Sequence, residues 1–429
     1  MKVIVLGSGA REHAIAVALK RSRAVSEVIV APGNALTALD AKNVACRPAD
    51  PEAVLQLVLA ERADFVVVGP EAPLLAGVVD RLHAYGVPVL GPTQDAALLE
   101  GSKAHSKKAM VEAGVLTAGY HTFKDLDACL EHMQIHPAAY VVKADGLMAG
   151  KGVIVADDVT QSMAAAKELF AAGQTVVIER RLRGKEASLN ALTDGCDYRL
   201  FPIARDHKRL MTGDKGKNTG GMGAFCPVAL SAAEFEGQPV LTDTALAERA
   251  IAPILAWQRR RKQPYRGFLY AGLMFDAGKP HVLEYNARLG DPETQVLLSA
   301  MDGDVLPAFY AAAHGDFADS DWPDASGAAV CVVLAAEGYP DAPKSGARID
   351  GIGRAREQPG VLVFGAGVAR DGDAFVTSGG RVLSVVGHGA TIDVARQRAY
   401  AAVECIAFAG MQFRTDIAAP PSVGRGKPQ

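Results

Sequence analysis

One strand carries the first residues with chemistry in them. In "VLEYN", Glu284 and Asn286 stand two apart, so on a strand both side chains leave the same face while Leu283 and Tyr285 point to the other. Two oxygen ligands side by side suit Mg²⁺, which takes one or two protein groups and leaves its other positions to water and phosphate. Arg288 would share that face if the strand continued, and its planar fork could grip a carboxylate or a phosphate. Asp291 and Glu293 flank Pro292; they fit equally well as acids that simply start the next helix.

An alternating strand of this kind is ordinary by itself, and a second stretch gives it meaning. "VVKADGLMAGKGVIV", residues 141 to 155, carries Lys143, Lys151 and the glycines Gly146, Gly150 and Gly152. It is not a P-loop, because Lys151 is followed by Gly152 rather than Ser or Thr, and then by a β-branched run rather than a helix. The pattern predicts strand, glycine flap, strand, with ammonium groups able to neutralise phosphate oxygens. Flap and acid strand together predict a metal–phosphate site, with Gly146, Gly150 and Gly152 as the hinges of the flap. "NTGGMGAF" holds Gly220, Gly221 and Gly223, a density explained by close approach of backbone to a ligand. "ARDHKR" brings Asp206, His207 and Lys208 together, with His207 expected to be a satisfied polar residue rather than a base. "GSGARE" at 7 to 12 places Glu12 where a dinucleotide fingerprint needs its third glycine, and the second strand lacks the ribose acid. A tight turn and a single-phosphate site at Gly9 and Arg11, on a helix N-terminus, explain it about equally well.

The elements that must position these groups follow from apolar periodicity. Residues 3 to 90 alternate short strands with helical patterns, including helices at 11–20, after Pro51 and after Pro73, a rhythm that predicts a doubly wound parallel sheet. A helix at 102–113, the flap unit, a helix at 158–172, two strands around "RLRG", a polar glycine-rich stretch, a helix ending near Arg260 and two further strands follow. The polar passage at 314–327 reads as a linker. The expected α/β architecture is an N-terminal domain over 1–101, a middle domain over 102–325 with a flap subdomain at about 121–192, a small C-terminal α+β domain over 326–415, and a disordered tail over 416–429. At 429 residues with a net charge of -3 and a pI near 6.4, the chain offers no basic field for nucleic acid or acidic lipid. The six cysteines are scattered, which favours reduced thiols. No apolar run approaches the roughly 20 residues of a spanning helix, and the expected location is the cytoplasm.

The joint order of "GSGAREHA", "APGN", "VGPEAPL", "LEGSKA", "KADGLMAGKGV", "GDKGKNTGGMGA", "GFLYAGLM", "EYNARLGDPETQ" and "SGGRVL" resembles the glycinamide ribonucleotide synthetases, the phosphoribosylamine–glycine ligases of the ATP-grasp superfamily, from residue 1 to about 410. The resemblance implies an ATP-grasp fold whose flap closes over ATP, a divalent metal (Mg²⁺ or Mn²⁺), and ligation of glycine to 5-phosphoribosylamine in purine synthesis, by a monomer with no nucleic-acid or membrane partner. It implies Lys103, Lys143 and Lys151 as phosphate or adenine contacts, with Gly150 in the flap. It also implies Glu179 and the backbone of Leu182 as the adenine hinge, Glu186 at the ribose, and Glu284 and Asn286 on the metal. Arg288, Asp206, Lys208, Asp214, Asn218 and Thr219 resemble the substrate-facing set. Arg205, Lys217, Leu289 and the basic "ERRL" depart from the family's usual Gln, Pro, Phe and acidic hinge.

Overall fold

Four apolar strands and a two-residue polar edge strand near the N-terminus pair in parallel, in the order Lys42–Asn43, Glu27–Pro32, Lys2–Gly7, Phe65–Val68, Val89–Leu90. The computed structural model describes residues 1–147, 152–318 and 320–420. Both faces of this sheet are covered, as the near-continuous apolar strands require: Val3 and Val5 pack with Ala14 and Leu19 of the helix Ala10–Lys20, and Ile4 and Leu6 with Val54 and Val58 of the helix Pro51–Glu61. Chain order reverses between Lys2–Gly7 and Phe65–Val68, and the crevice beyond that switch point is where such sheets take ligands. The single helix expected after Pro73 is two, Glu71–Leu75 and Val78–Ala84, because Gly77 between them is left-handed with φ 80°.

Two antiparallel four-stranded sheets follow. The first has the order Tyr120–Phe123, Val176–Arg180, Tyr140–Ala144, Val153–Val155, and the second Tyr198–Leu200, Lys185–Asp194, Arg266–Asp276, Lys279–Asn286. The polar glycine-rich stretch contains strands that its composition hides. Arg205–Asp206 and Gly223–Cys226 join the C-terminal sheet, ordered Arg205–Asp206, Gly223–Cys226, Ala328–Ala335, Arg381–Gly389, Val361–Gly365. Between them Arg209–Met211 and Lys215–Asn218 make a separate hairpin.

The C-terminal sheet is covered by the helix Ile392–Val403 through Ala395, Ala399 and Ala402. It meets the N-terminal domain at His13, which is fully buried. His13 Nδ1 accepts from the Gly365 amide at 3.0 Å, and its Nε2 lies 2.8 Å from Asp40, which also pairs with Arg356 at 2.7 Å. The expected tail is packed at its start, with Ile417 and Ala418 buried in the C-terminal core; residues 421–429 lie outside the described ones. Among the described residues no helix is long and apolar enough to cross a membrane.

Candidate active site

A cleft of about 1420 Å³ opens between the two middle sheets and is lined by residues of all three domains, among them Arg11, Lys103, Lys143, Glu284, Arg288 and Arg381. Lys103 stands at the first position of the helix Lys103–Ala113, which Ser102 caps by accepting from the His105 amide at 3.0 Å. Asp145 secures that end by accepting from Ser102 Oγ at 3.0 Å and from the Ala104 amide at 3.2 Å. Lys103 Nζ donates to the carbonyl of Gly146 at 2.9 Å, so the helix start and the flap base are held together. Gly146 has φ 101° with open space around it, a backbone that glycine adopts without strain. Gly150 and Lys151 lie outside the described residues.

Lys143 faces the cleft from the strand Tyr140–Ala144 and lies 2.6 Å from Glu179 Oε1. Lys107, unremarked in the sequence, takes the other oxygen at 2.9 Å. It also donates to Thr117 Oγ1 at 2.7 Å, and Thr117 donates to the carbonyl of Val282 at 2.6 Å. The Glu179 carboxylate is therefore committed to two lysines rather than open to an adenine ring. Burial, then the nearby Lys143, lowers the Lys107 pKa to about 8. Leu182 is buried on the cleft wall, and Glu186 accepts from Lys208 at 2.7 Å.

Glu284 and Asn286 line the cleft together, on a strand whose register with Arg266–Asp276 shifts between Gly272 and Leu273. Burial would raise the Glu284 pKa, but Lys208, Lys143, Lys103 and Arg288 more than offset it and hold the carboxyl below its ordinary range. The strand ends at Asn286, yet Arg288 still faces the cleft because Glu100 fixes this segment. One Glu100 oxygen lies 2.7 Å from Arg288, and with the Asn286 side-chain amide turned to satisfy its neighbours the Asn286 side-chain nitrogen donates to the same oxygen at 3.3 Å; the other accepts from the Ala287 amide at 2.7 Å. Glu71 adds a second contact to Arg288, at 3.3 Å. Both acids lie inside quoted motifs, "LEGSKA" and "VGPEAPL", but nothing in their spacing marks them as partners of Arg288.

Among the described residues no group of three or more His, Cys, Asp or Glu side chains is placed to hold a metal ion. Two oxygens plus phosphate and water is the donor set that Mg²⁺ accepts, and an ionised Glu284 beside Asn286 fits it. Asp206 keeps some surface open to the cleft, yet burial by the surrounding protein raises its pKa to about 7 against the opposing charge of Lys208. Glu293 starts the helix Glu293–Ala300 and is buried, accepting from Ser188 Oγ at 3.1 Å. Asp291 instead binds Arg381 at 3.1 Å. His207 is neutral, its pKa lowered to about 4 by burial and then by Arg414.

Two of the glycine-rich stretches are engaged within the protein. The glycines of "NTGGMGAF" serve protein contacts more than a ligand: a Cβ on Gly221, whose φ is 114°, would lie 2.4 Å from Pro292, and one on Gly223 would lie 2.5 Å from the carbonyl of Cys331. At "GSGARE", the Gly9 amide donates to Glu12 at 2.7 Å, and Arg11 binds Glu12 at 2.6 Å and the Leu289 carbonyl at 3.3 Å. Glu12 thus occupies donors expected to hold a phosphate. Arg11 faces the large cleft, while Gly9 faces a smaller recess of about 380 Å³, shared with Gly33, Asn34 and Gly367.

The chain matches the phosphoribosylglycinamide synthetase N domain over residues 1–100, the ATP-grasp (A) domain over 101–294 and the C domain over 329–420. It belongs to that family. The phosphoribosylamine–glycine ligase of Chlorobaculum tepidum is 46% identical to it over 429 residues, spanning 98% of this chain and 99% of the relative. The crystal structure of the Thermotoga maritima phosphoribosylamine–glycine ligase superposes with a TM-score of 0.83 at 35% identity, covering 97% of this chain and all of that one (100%). The biotin carboxylase domain of Hydrogenobacter thermophilus 2-oxoglutarate carboxylase, with a TM-score of 0.70 at 16% identity over 96% of this chain and 91% of that one, shares the fold alone. The synthetase family therefore accounts for the architecture from the first strand to the C-terminal sheet.

Proposed function

We propose that the cleft joins glycine to 5-phosphoribosylamine at the expense of ATP, through a glycyl phosphate, giving glycinamide ribonucleotide, ADP and phosphate in purine biosynthesis. The observation that carries this reading is the convergence of Glu284, Asn286, Lys103, Lys143 and Arg288 on one cleft in a chain of this family. A glycine carboxylate is a poor electrophile at neutral pH, so one oxygen must first become a phosphate leaving group. A divalent ion, for which we favour Mg²⁺, would be held by Glu284 and Asn286 and would neutralise phosphate charge when bound.

The residues of the chain supply position and charge. Lys103 and Lys143 offer ammonium groups to phosphate oxygens, with Lys151 and Gly150 in the flap as further contacts. Arg288, held by Glu71 and Glu100, presents a fixed guanidinium to the glycine carboxylate. Leu182 and the backbone beside Glu179 form the adenine side, and Glu186 the ribose side. Lys208, Asp214, Asn218 and Thr219 face the small substrates. Asp206, with its pKa near 7, is suited to accept the proton that the attacking amine sheds. Because an acyl phosphate hydrolyses, flap closure serves to exclude water. No protein nucleophile is needed. We place this activity in a cytoplasmic monomer.

Phosphate release is the direct test. With Mg²⁺ and ATP, release should require glycine and phosphoribosylamine together, and Glu284→Ala should lower it by about 100-fold or more. Release that ignores either substrate would assign the chain to another ATP-grasp ligation.

A further inference from the structure

We propose that Arg414 is a positioning residue for the ligation: it fastens the hairpin Arg209–Asn218 from the C-terminal end of the chain, and so sets the affinity for the small substrates rather than for ATP. The proposal rests on the reading of Asp214 and Asn218 as substrate-facing.

The hairpin needs an external hold. All four residues of its second strand, Lys215–Asn218, are exposed, Met211 is exposed on the first, and no residue from 209 to 218 belongs to an apolar core among the described residues. A lone two-stranded ribbon is marginal in water. What holds this one is polar and comes from the C-terminal domain. Arg414 donates to the Arg209 carbonyl at 3.1 Å and binds Asp214 at 3.2 Å. Asp416 accepts from the Gly213 amide at 2.9 Å, and the Thr415 amide donates to Thr212 Oγ1 at 3.1 Å. Lys217 meets Asp341 at 2.7 Å.

Arg414 is itself built in. It is 2% exposed, and two of its guanidinium nitrogens contact the two oxygens of Asp416 at 2.8 and 2.7 Å, the paired geometry that fixes an arginine most firmly. Its carbonyl accepts from Tyr400 at 2.8 Å, and Arg396 donates to the carbonyls of Thr415 and Ile417 at 2.9 and 3.0 Å. The clamp is thus anchored on the helix Ile392–Val403 and reaches the tip of the hairpin, where Asp214 takes a left-handed backbone, φ 57°. Leucine or methionine would fill the same space. Only a forked cation joins the Arg209 carbonyl, Asp214 and Asp416 at once.

The experiment compares the wild type with Arg414→Met and Arg414→Lys in the full chain, measuring kcat, the KM for each substrate, and the rate of trypsin cleavage after Lys215 and Lys217. For Arg414→Met the KM for glycine or phosphoribosylamine should rise by about tenfold while the KM for ATP stays within about twofold, with hairpin cleavage faster by a similar factor. Arg414→Lys should fall between. If Arg414→Met does not fold, Thr212→Val, which removes the two Thr212–Thr415 hydrogen bonds and leaves Arg414 in place, should show the same KM split at smaller size. Unchanged KM values, or a loss shared equally by ATP and the small substrates, overturn the proposal. Asp214→Ala and Asn218→Ala serve as controls: if neither moves a KM, the hairpin does not face substrate and the reading beneath the proposal fails instead.

Discussion

Each charged group in the cleft is set by what stands behind it. Glu100 contacts the side chains of Asn286 and Arg288 and the backbone of Ala287, so Glu100→Gln should loosen a metal ligand and the carboxylate grip together and lower kcat/KM by about 100-fold in the phosphate-release assay. Asp206 gives a prediction with a sign. Its folded pKa of about 7 lies above the unfolded value, so the folded state binds a proton the unfolded state has already lost, and stability falls as pH rises toward 7. Asp206→Asn should therefore melt higher than wild type at pH 8, with the gap closing near pH 4, while losing activity; a lower melting point at pH 8 would contradict the raised pKa. The pairing of Glu284 with Asn286 is legible in sequence because a strand's period of two writes it directly. Glu71, Glu100, Lys107 and Arg414 carry no such signal, since the partners that tie them to the cleft or the hairpin, Arg288, Glu179 and Asp214, lie far along the chain.

Elements with a repeating apolar pattern were legible, and those held by distant partners were not. The four apolar N-terminal strands follow their pattern closely because they are buried on both faces, whereas the polar edge strand Lys42–Asn43 carries no such pattern. The segment Arg205–Cys226 reads as loop, since its strands are two to four residues long and only Gly223–Cys226 is tied to Ala328–Ala335, a hundred residues on. Its glycines record protein packing, which composition alone does not distinguish from ligand approach. Gly221→Ala, forced to keep φ 114° with its Cβ against Pro292, should cost about 2 kcal/mol of stability in chemical denaturation. In the flap, Gly146→Val would strain a φ of 101° where space is open, so kcat should drop with little change in folding stability. Equal loss of both would argue against a hinge.

At the scale of the molecule, one buried imidazole sits on the seam where the N- and C-terminal domains meet. His13 accepts from Gly365 on Nδ1, which leaves Nε2–H to donate to Asp40, a neutral tautomer fixed by its partners. Burial lowers its pKa, and burial lowers that of His207 to about 4. For both groups the unfolded state takes up protons first, so the stability they contribute is complete above about pH 6.5 and is lost as pH falls toward 4, against the opposite slope from Asp206. His13→Gln, which keeps an acceptor and a donor, should remove its share, so that the variant's melting point drops less than the wild type's as pH falls from about 6.5 toward 4; an unchanged slope would remove His13 from the account. The sheet that carries Gly365 also contains Arg205–Asp206 and Gly223–Cys226, contributed from within the ATP-grasp region. A gene cut between residues 294 and 329 would therefore give two polypeptides that each own part of one sheet, one with orphaned edge strands and the other with an uncovered edge. Fusion or exchange of this enzyme with other catalysts has to respect that woven seam, because a cut at the apparent linker divides one sheet between two products.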